Sequence, residues 1–454
     1  MKHSGLAGLG SRFAVMLGGE VLQSLFHLGL NLVLLRALSA HDYGVFAMIF
    51  VLGGIGLTFV RALAGVPAAT FIPQARSVRA GQAYAVTFGS GAVLACLVLA
   101  ALTTVGLVPV IGGESVAAGA FVGLWSLRSY LRIALFARRR VAIAGASDLA
   151  FTLGGTAMLM LLLRMDGTGL LWEGLAMLAA AHGLGIAVAL AAAREPVRIG
   201  LRHTRRRYRA LRHSFAWSVA GVATANVQAQ GQILLIGVLA GPEAYAPIAA
   251  TLVLFAPLRL LGGVVVNLIQ PEMAAELAKG SEGHLRLVLV ASTALLAAAC
   301  LVYGIGLAAG LGLIEQHLFA GRFAGEPLGL IALTVWATVT GAMLYAAPKT
   351  LLETRRAFRS LAWTALASAV FGMALITALI VLVSPAWSMA GVAASEFVVL
   401  LRCWRAVASG GGGAPPGLVP HPERWLPRFG KGAVLDRRPG SVWPDQDGAA
   451  DLRG

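Results

Sequence analysis

The chain has 454 residues, 58% of them hydrophobic and only 12% charged, against the roughly one quarter charged that soluble domains carry, so a polytopic membrane protein is the class that remains. Its net charge of +16 does not signal nucleic acid, because the basic residues lie in short gaps between apolar runs; anionic membrane lipids are the expected partner. Cys96, Cys300 and Cys403 are scattered and form neither a disulfide framework nor a metal set, and there is no phosphate-cradling glycine loop and no Ser/His/Asp order, so the reading is of a non-enzyme without a cofactor.

The first apolar run, 13–35, is longer than the roughly 7 to 15 residues of a signal-peptide core. "ALSAHD" after it mimics a cleavage site, but the run reads as a retained first helix because the repeat described below needs it. Further runs near the ~20 residues that span a bilayer fall at 43–66, 84–108, 115–137, 141–163, 169–193, 214–239, 244–270, 285–311, 327–348, 360–383 and 387–404. About twelve helices and an all-α fold follow, with both termini on one side.

Alternate gaps hold the cations: Arg76 and Arg79; Arg138, Arg139 and Arg140; the run from Arg194 to Arg212; Lys279 and Arg286; and Lys349, Arg355, Arg356 and Arg359. The other gaps carry at most one arginine each, namely Arg36, Arg164 and Arg322. The positive-inside rule makes the first set cytoplasmic and both termini with it, in a multi-pass membrane protein.

The one long basic gap, "REPVRIGLRHTRRRYRALRHS", divides the chain into a six-helix bundle over 1–193, a cytoplasmic connector over 194–213 and a second six-helix bundle over 214–404. The Gly- and Pro-rich tail, 405–454, lacks periodicity and is expected to be disordered in the cytoplasm. The halves align with each other: "LRALSAHDYGVFAMIFVL" matches "IGVLAGPEAYAPIAATLVL" with one inserted residue, setting Leu38 on Leu239, Asp42 on Glu243 and Tyr43 on Tyr245, and "FIPQA" matches "LIQPEMA". A parallel six-helix repeat is the economical explanation, and transporters often place their path between such repeats.

Three stretches, "LLRALSAHDYGVFAM", "GVLAGPEAYAPIAATL" and "HLFAGRFAGEPLGLIAL", resemble the polysaccharide-export (O-antigen) flippases of the multidrug, oligosaccharidyl-lipid and polysaccharide superfamily. The resemblance covers the twelve helices and leaves out the tail. It implies two bundles in a V around a central cavity, alternating access, an undecaprenyl-diphosphate-linked glycan as substrate, and polysaccharide-biosynthesis proteins as partners.

Polar residues inside the oily runs are the candidate site. Glu20, Gln23, His27 and Asn31 keep to one face of the first helix; Ser218, Asn226 and Gln230 keep to one line of the seventh, with Gln228 and Gln232 on flanking faces. Such amides either line a hydrated, sugar-accommodating cavity or hydrogen-bond between helices, where each contributes about 0.6 kcal/mol. The paired stripes favour the cavity for Gln23, His27, Asn31, Asn226, Gln228 and Gln230.

Counted from the helix end at 1.5 Å per residue, Arg132 is ~9 Å deep and Arg128 ~15 Å deep. Arg132 can meet Asp148 across the antiparallel fifth helix, which leaves Arg128 without an obvious local partner. Arg259 lies ~18 Å from the inner end of the eighth helix, two residues after Pro257, which frees backbone carbonyls and bends the helix. Guanidiniums at such depth suit a diphosphate, which points to Arg128 and Arg259, with Arg132 third; the alternative is pairing with Glu20, Asp148 or Glu396.

Glu20, ~12 Å deep, and Asp148 are candidates for ion coupling, and Glu396 is either structural or functional. Arg61 and Arg402 lie where snorkelling explains them, and His182 reads as a hydrogen-bonded packing residue. The leading functional reading is a lipid-linked oligosaccharide flippase. A multidrug extruder of the same superfamily, expected to carry acidic cavity residues, and a membrane glycosyltransferase, polymerase or ligase, expected to carry a large outer loop, stay open beside it.

Overall fold

The computed structural model describes residues 3–73, 77–138, 140–164, 170–193, 200–355 and 357–409, and among these there are helices and turns but no strand. The first half consists of α1 (His3–Ala37), α2 (Ala40–Val60, continued through a π turn to Phe71), α3 (Val78–Ile111), α4 (Ser115–Ala137), α5 (Val141–Leu162) and α6 (Leu170–Ala193). The second consists of α7 (Leu201–Asn226, a π turn at Val227–Gly231, then Gln232–Ala240), α8a (Pro242–Leu254), α8b (Ala256–Lys279), α9 (Glu282–Leu313, ending in a π turn at Ile314–Leu318), α10 (Leu328–Thr354), α11 (Phe358–Leu382) and α12 (Ser388–Ala408).

Nine described segments are long and apolar enough to cross a bilayer, and ten when α8a and α8b, bent by 50°, count as one span. One of the nine, Ala80–Ala137, is 58 residues long and turns back at Gly112, whose φ of 55° suits glycine; it holds the two crossings α3 and α4. With α1, apolar over Val21–Ala37, twelve helices result as the sequence predicts.

Two boundaries differ from the sequence reading. The connector is helical from Leu201 and runs into α7 without a break, because its arginines and alanines suit a helix as well as a loop. The last helix extends to Ala408, and residues 410–454, which carry most of the expected tail, lie outside the described set. The connector is anchored on the first half. Tyr208 donates to the Leu63 carbonyl at 2.9 Å and Arg207 to Thr87 at 2.5 Å, and burial pushes the Tyr208 hydroxyl up to about 12.

The internal repeat is visible in the packing. In the first half α3 packs on α4, α4 on α6, α5 on α6, α1 on α5 and α2 on α4; each of these pairs recurs six helices later in the second half. The halves meet where α2 crosses α8a, at the end opposite the basic gaps. Gly44 is needed there, since a Cβ would run into the Pro242 carbonyl, and the aligned tyrosines Tyr43 and Tyr245 are both buried at this crossing.

Two arginines tie that end together. Arg36, at the end of α1, donates to the carbonyls of Leu318 (3.1 Å) and His317, while Arg322, just after α9, donates back to those of Arg36 (2.8 Å) and Leu38. Each guanidinium thus satisfies carbonyls that the other half's helix end leaves without an N–H partner. Replacing both arginines with alanine is expected to raise labelling of a cysteine at position 46, on buried α2, several-fold with a membrane-impermeant maleimide. Unchanged labelling would show that packing alone keeps this end shut.

Candidate functional site

The loop of basic residues between α4 and α5 makes the two helices an antiparallel hairpin, and this brings Asp148 of α5 level with Arg128 and Arg132 of α4. Arg128 Nη2 lies 2.6 Å from Asp148 Oδ1 and Arg132 Nε 3.0 Å from Oδ2. Gln23 of α1 completes the group: its amide donates to Asp148 Oδ1 at 3.1 Å and accepts from Arg128 at 3.2 Å. The Arg128 guanidinium also stacks 4.1 Å over the Phe151 ring, and Gly185 of α6 leaves the space its Nε fills.

This corrects the expectation that Arg128 lacks a local partner. One helical turn separates the two arginines, and a single carboxylate with two oxygens serves both. Arg128 is 3% exposed and Asp148 2%, so in this conformation both are enclosed by the first half. The Arg132 to Asp148 pair is present as the sequence predicts.

Around the cluster sits a box of rings. His182 is fully buried and stacks 4.4 Å from Phe151, with Phe121 and Trp125 on its other sides, and His27 packs 5.2 Å from Phe50. His182 is a packing residue, but neither of its ring nitrogens finds a hydrogen-bond partner among the described residues, which corrects the hydrogen-bonded reading. Asn31 donates to the His27 carbonyl of its own helix. The α1 stripe therefore turns Gln23 and His27 into the bundle, while the side chain of Glu20 lies outside the described residues.

The amides of α7 divide between two directions across the π turn at Val227–Gly231. Gln228 donates to Glu396 Oε1 of α12 at 2.6 Å, and Gln232 to Ser395 Oγ at 2.8 Å, which in turn contacts Ser368 of α11. Glu396 is 4% exposed, with the Tyr345 hydroxyl as a hydrogen-bonding neighbour and Lys349 of α10 as an electrostatic one, and Gln232 Oε1 has no donor among the described residues. Asn226 points the other way and donates to Thr58 of α2 at 2.6 Å, across the two halves, and half-buried Gln230 faces Gly54 of the same helix. Gln228 is thus placed inside the second half, whereas Asn226 and Gln230 look toward the first. The serine pair was missed in the sequence; the i, i+4 spacing of Gln228 and Gln232 was the available signal.

Arg259 is arranged differently from Arg128. It sits at the bend between α8a and α8b, is exposed, and donates to the Leu252 carbonyl at 2.9 Å. That carbonyl lies in the last turn of α8a, which Pro257 keeps from continuing into α8b. Tyr245 is its electrostatic neighbour, and no described carboxylate pairs with it.

No family model and no curated protein matches the chain. Solved structures do. An inward-facing multidrug resistance MATE family transporter of the MOP superfamily is 13% identical with a TM-score of 0.60, the match covering 85% of this chain and 95% of that one. The lipid II flippase MurJ in an inward closed conformation is 9% identical with a TM-score of 0.65, covering 86% of each chain. A MOP superfamily transporter from Pyrococcus furiosus, described as having a binding pocket of reverse polarity, is 11% identical with a TM-score of 0.52, covering 87% of this chain and 94% of that one. The chain therefore has the all-α fold of MOP-superfamily transporters and flippases.

Asp148→Ala leaves two guanidiniums in the bundle without their shared carboxylate. It is expected to cost about 3 to 5 kcal/mol, read as a lowered unfolding temperature of the purified protein. A stability equal to wild type would show that the cluster is dispensable to the fold.

Proposed function

We propose that the chain is a transporter that moves an anionic, lipid-linked oligosaccharide across the membrane by alternating access, with Arg259 as the contact for its diphosphate. The observation that carries this reading is the exposed guanidinium at the α8 bend, held by a neutral carbonyl and by no described carboxylate. A diphosphate offers bidentate, fully charged acceptors that a single carbonyl does not match. Asn226 and Gln230, on the side of α7 that faces α2, supply amides for sugar hydroxyls. Arg128 and Arg132 join the substrate only if the Asp148 cluster opens during the cycle. The glycan would be an O-antigen or exopolysaccharide unit, handed over by polysaccharide-biosynthesis proteins at the inner membrane, with both termini cytoplasmic.

A second reading, a cation-coupled multidrug exporter, is favoured by the buried acid Glu396, which neutral groups meet and no guanidinium pairs with among the described residues. The two readings separate on charge. Arg259→Ala is expected to lower translocation of the lipid-linked glycan about 30-fold or more, the equivalent of ~2 kcal/mol for a desolvated charged contact, with membrane abundance unchanged. Normal glycan translocation in this variant would sink the diphosphate assignment. Glu396→Gln is expected to make transport in vesicles indifferent to an imposed proton or sodium gradient; a surviving gradient response would move coupling to Glu20 or Asp148.

A further inference from the structure

At the basic end of the second half, α11 begins and α12 ends side by side, and a pocket of about 620 Å³ opens between them. Its lining includes Arg359 and Ser360 of the first turn of α11, Trp363 and Thr364 one turn on, and Arg402 and Arg405 of α12. The i, i+3 spacing of Arg402 and Arg405 sets them on one helical face. All three arginines are exposed, and among the described residues none has a carboxylate partner or a hydrogen-bond acceptor.

Three like charges around one pocket repel one another, and nothing in the described protein offsets them. Snorkelling accounts for Arg402 alone, since an arginine seeking only water would point away from its fellows; it does not account for three that line the same pocket. Arg405, in the last turn of α12, is favoured by the helix dipole, but Arg359, in the first turn of α11, is opposed by it. A bound anion removes both penalties.

We infer that this pocket is a binding site for the phosphate headgroup of an anionic membrane phospholipid. The lipid source, rather than free phosphate, follows from what adjoins the pocket. Trp363 is 62% exposed, and Leu366 and Val370 continue its face of α11 into the span at i+3 and i+7, also exposed. This is an apolar track for an acyl chain leading away from a cationic cup, with a tryptophan at the level where such rings settle at the interface. Basic pockets between helices on the cytoplasmic side of membrane proteins are of this chemical kind. The site lies on α11 and α12, apart from Arg259, and stands or falls independently of the substrate.

The test uses the full chain, purified in detergent and stripped of lipid, with phosphatidylglycerol, phosphatidylcholine and inorganic phosphate as probes and native mass spectrometry as readout. Phosphatidylglycerol is expected to stay bound to the wild type and phosphatidylcholine to be lost. The triple variant R359Q/R402Q/R405Q is expected to weaken phosphatidylglycerol on the order of 100-fold, and R402Q alone ~5-fold, from about one kcal/mol per surface cation. The control R205Q/R206Q/R209Q, which removes three exposed cations of α7, is expected to change it little. Equal losses in control and triple variant would reduce the effect to general electrostatics and overturn the site. Displacement of the lipid by millimolar inorganic phosphate would overturn the lipid assignment. Should the triple variant fold poorly, a photoactivatable phosphatidylglycerol on the wild type decides: crosslinks on α11 and α12 uphold the site, and crosslinks elsewhere refute it.

Discussion

A carboxylate buried among helices in a membrane must be met by donors, because lipid offers none and the ion is costly to desolvate. Each half of this protein is built around one such acid and meets it in the same way. An amide on the leading helix, Gln23 on α1 or Gln228 on α7, donates to an acid on a later helix, Asp148 on α5 or Glu396 on α12. The leading helix is thereby held to its own bundle by a bond that fixes its rotation. In the first half two guanidiniums share the acid; in the second the hydrogen-bonding neighbours are neutral, the Gln228 amide and the Tyr345 hydroxyl.

The repeat gives these bundles equivalent packing, and it also explains the seam between them. Corresponding parts meet where α2 crosses α8a and Tyr43 and Tyr245 share that crossing, while Arg36 and Arg322, which the repeat does not relate, exchange carbonyls beside it. Contacts at this end combine buried aromatic rings, the close approach of Gly44 to Pro242 and charged hydrogen bonds to helix ends. Departures from the repeat are more informative. The counterpart of the broken helix α8 is α2, which bends through a π turn without a break, and only α8 carries Pro257 and Arg259 at its interruption. The π turn of α2 and the helical turn after it have their own arginine and proline, Arg61 and Pro67, but at other positions, so the two helices place their cations differently.

Much of this was legible in the sequence, for reasons of hydrophobic length and charge placement. The twelve helices follow from runs near the span of the bilayer, and the Arg132 to Asp148 pair from counting residues outward from a basic turn. The destination of the amides was not legible. Helical spacing puts Gln228 and Gln232 on faces flanking that of Asn226 and Gln230, but whether a face meets lipid, water or another helix depends on neighbours remote in sequence. The π turn between them adds a residue to the local turn and alters the register. Arg36 and Arg322 were legible as the single arginines of their gaps, yet their use as caps for carbonyls 280 or more positions away needs the assembled fold.

The contrast between Arg128 and Arg259 shows how saturation separates structural charge from available charge. Arg128 spends its donors on Asp148 and Gln23 and its face on Phe151, so a substrate would have to replace ionic and aromatic contacts together. Arg259 holds one backbone carbonyl and remains exposed. Exchanging that neutral acceptor for a phosphate gains charge-assisted bonds. Depth alone assigned both arginines the same role; the number of partners each already holds distinguishes them. A cation that stabilises the fold is one already held by a buried carboxylate, and a cation that can recognise an anion is one held only by a neutral acceptor.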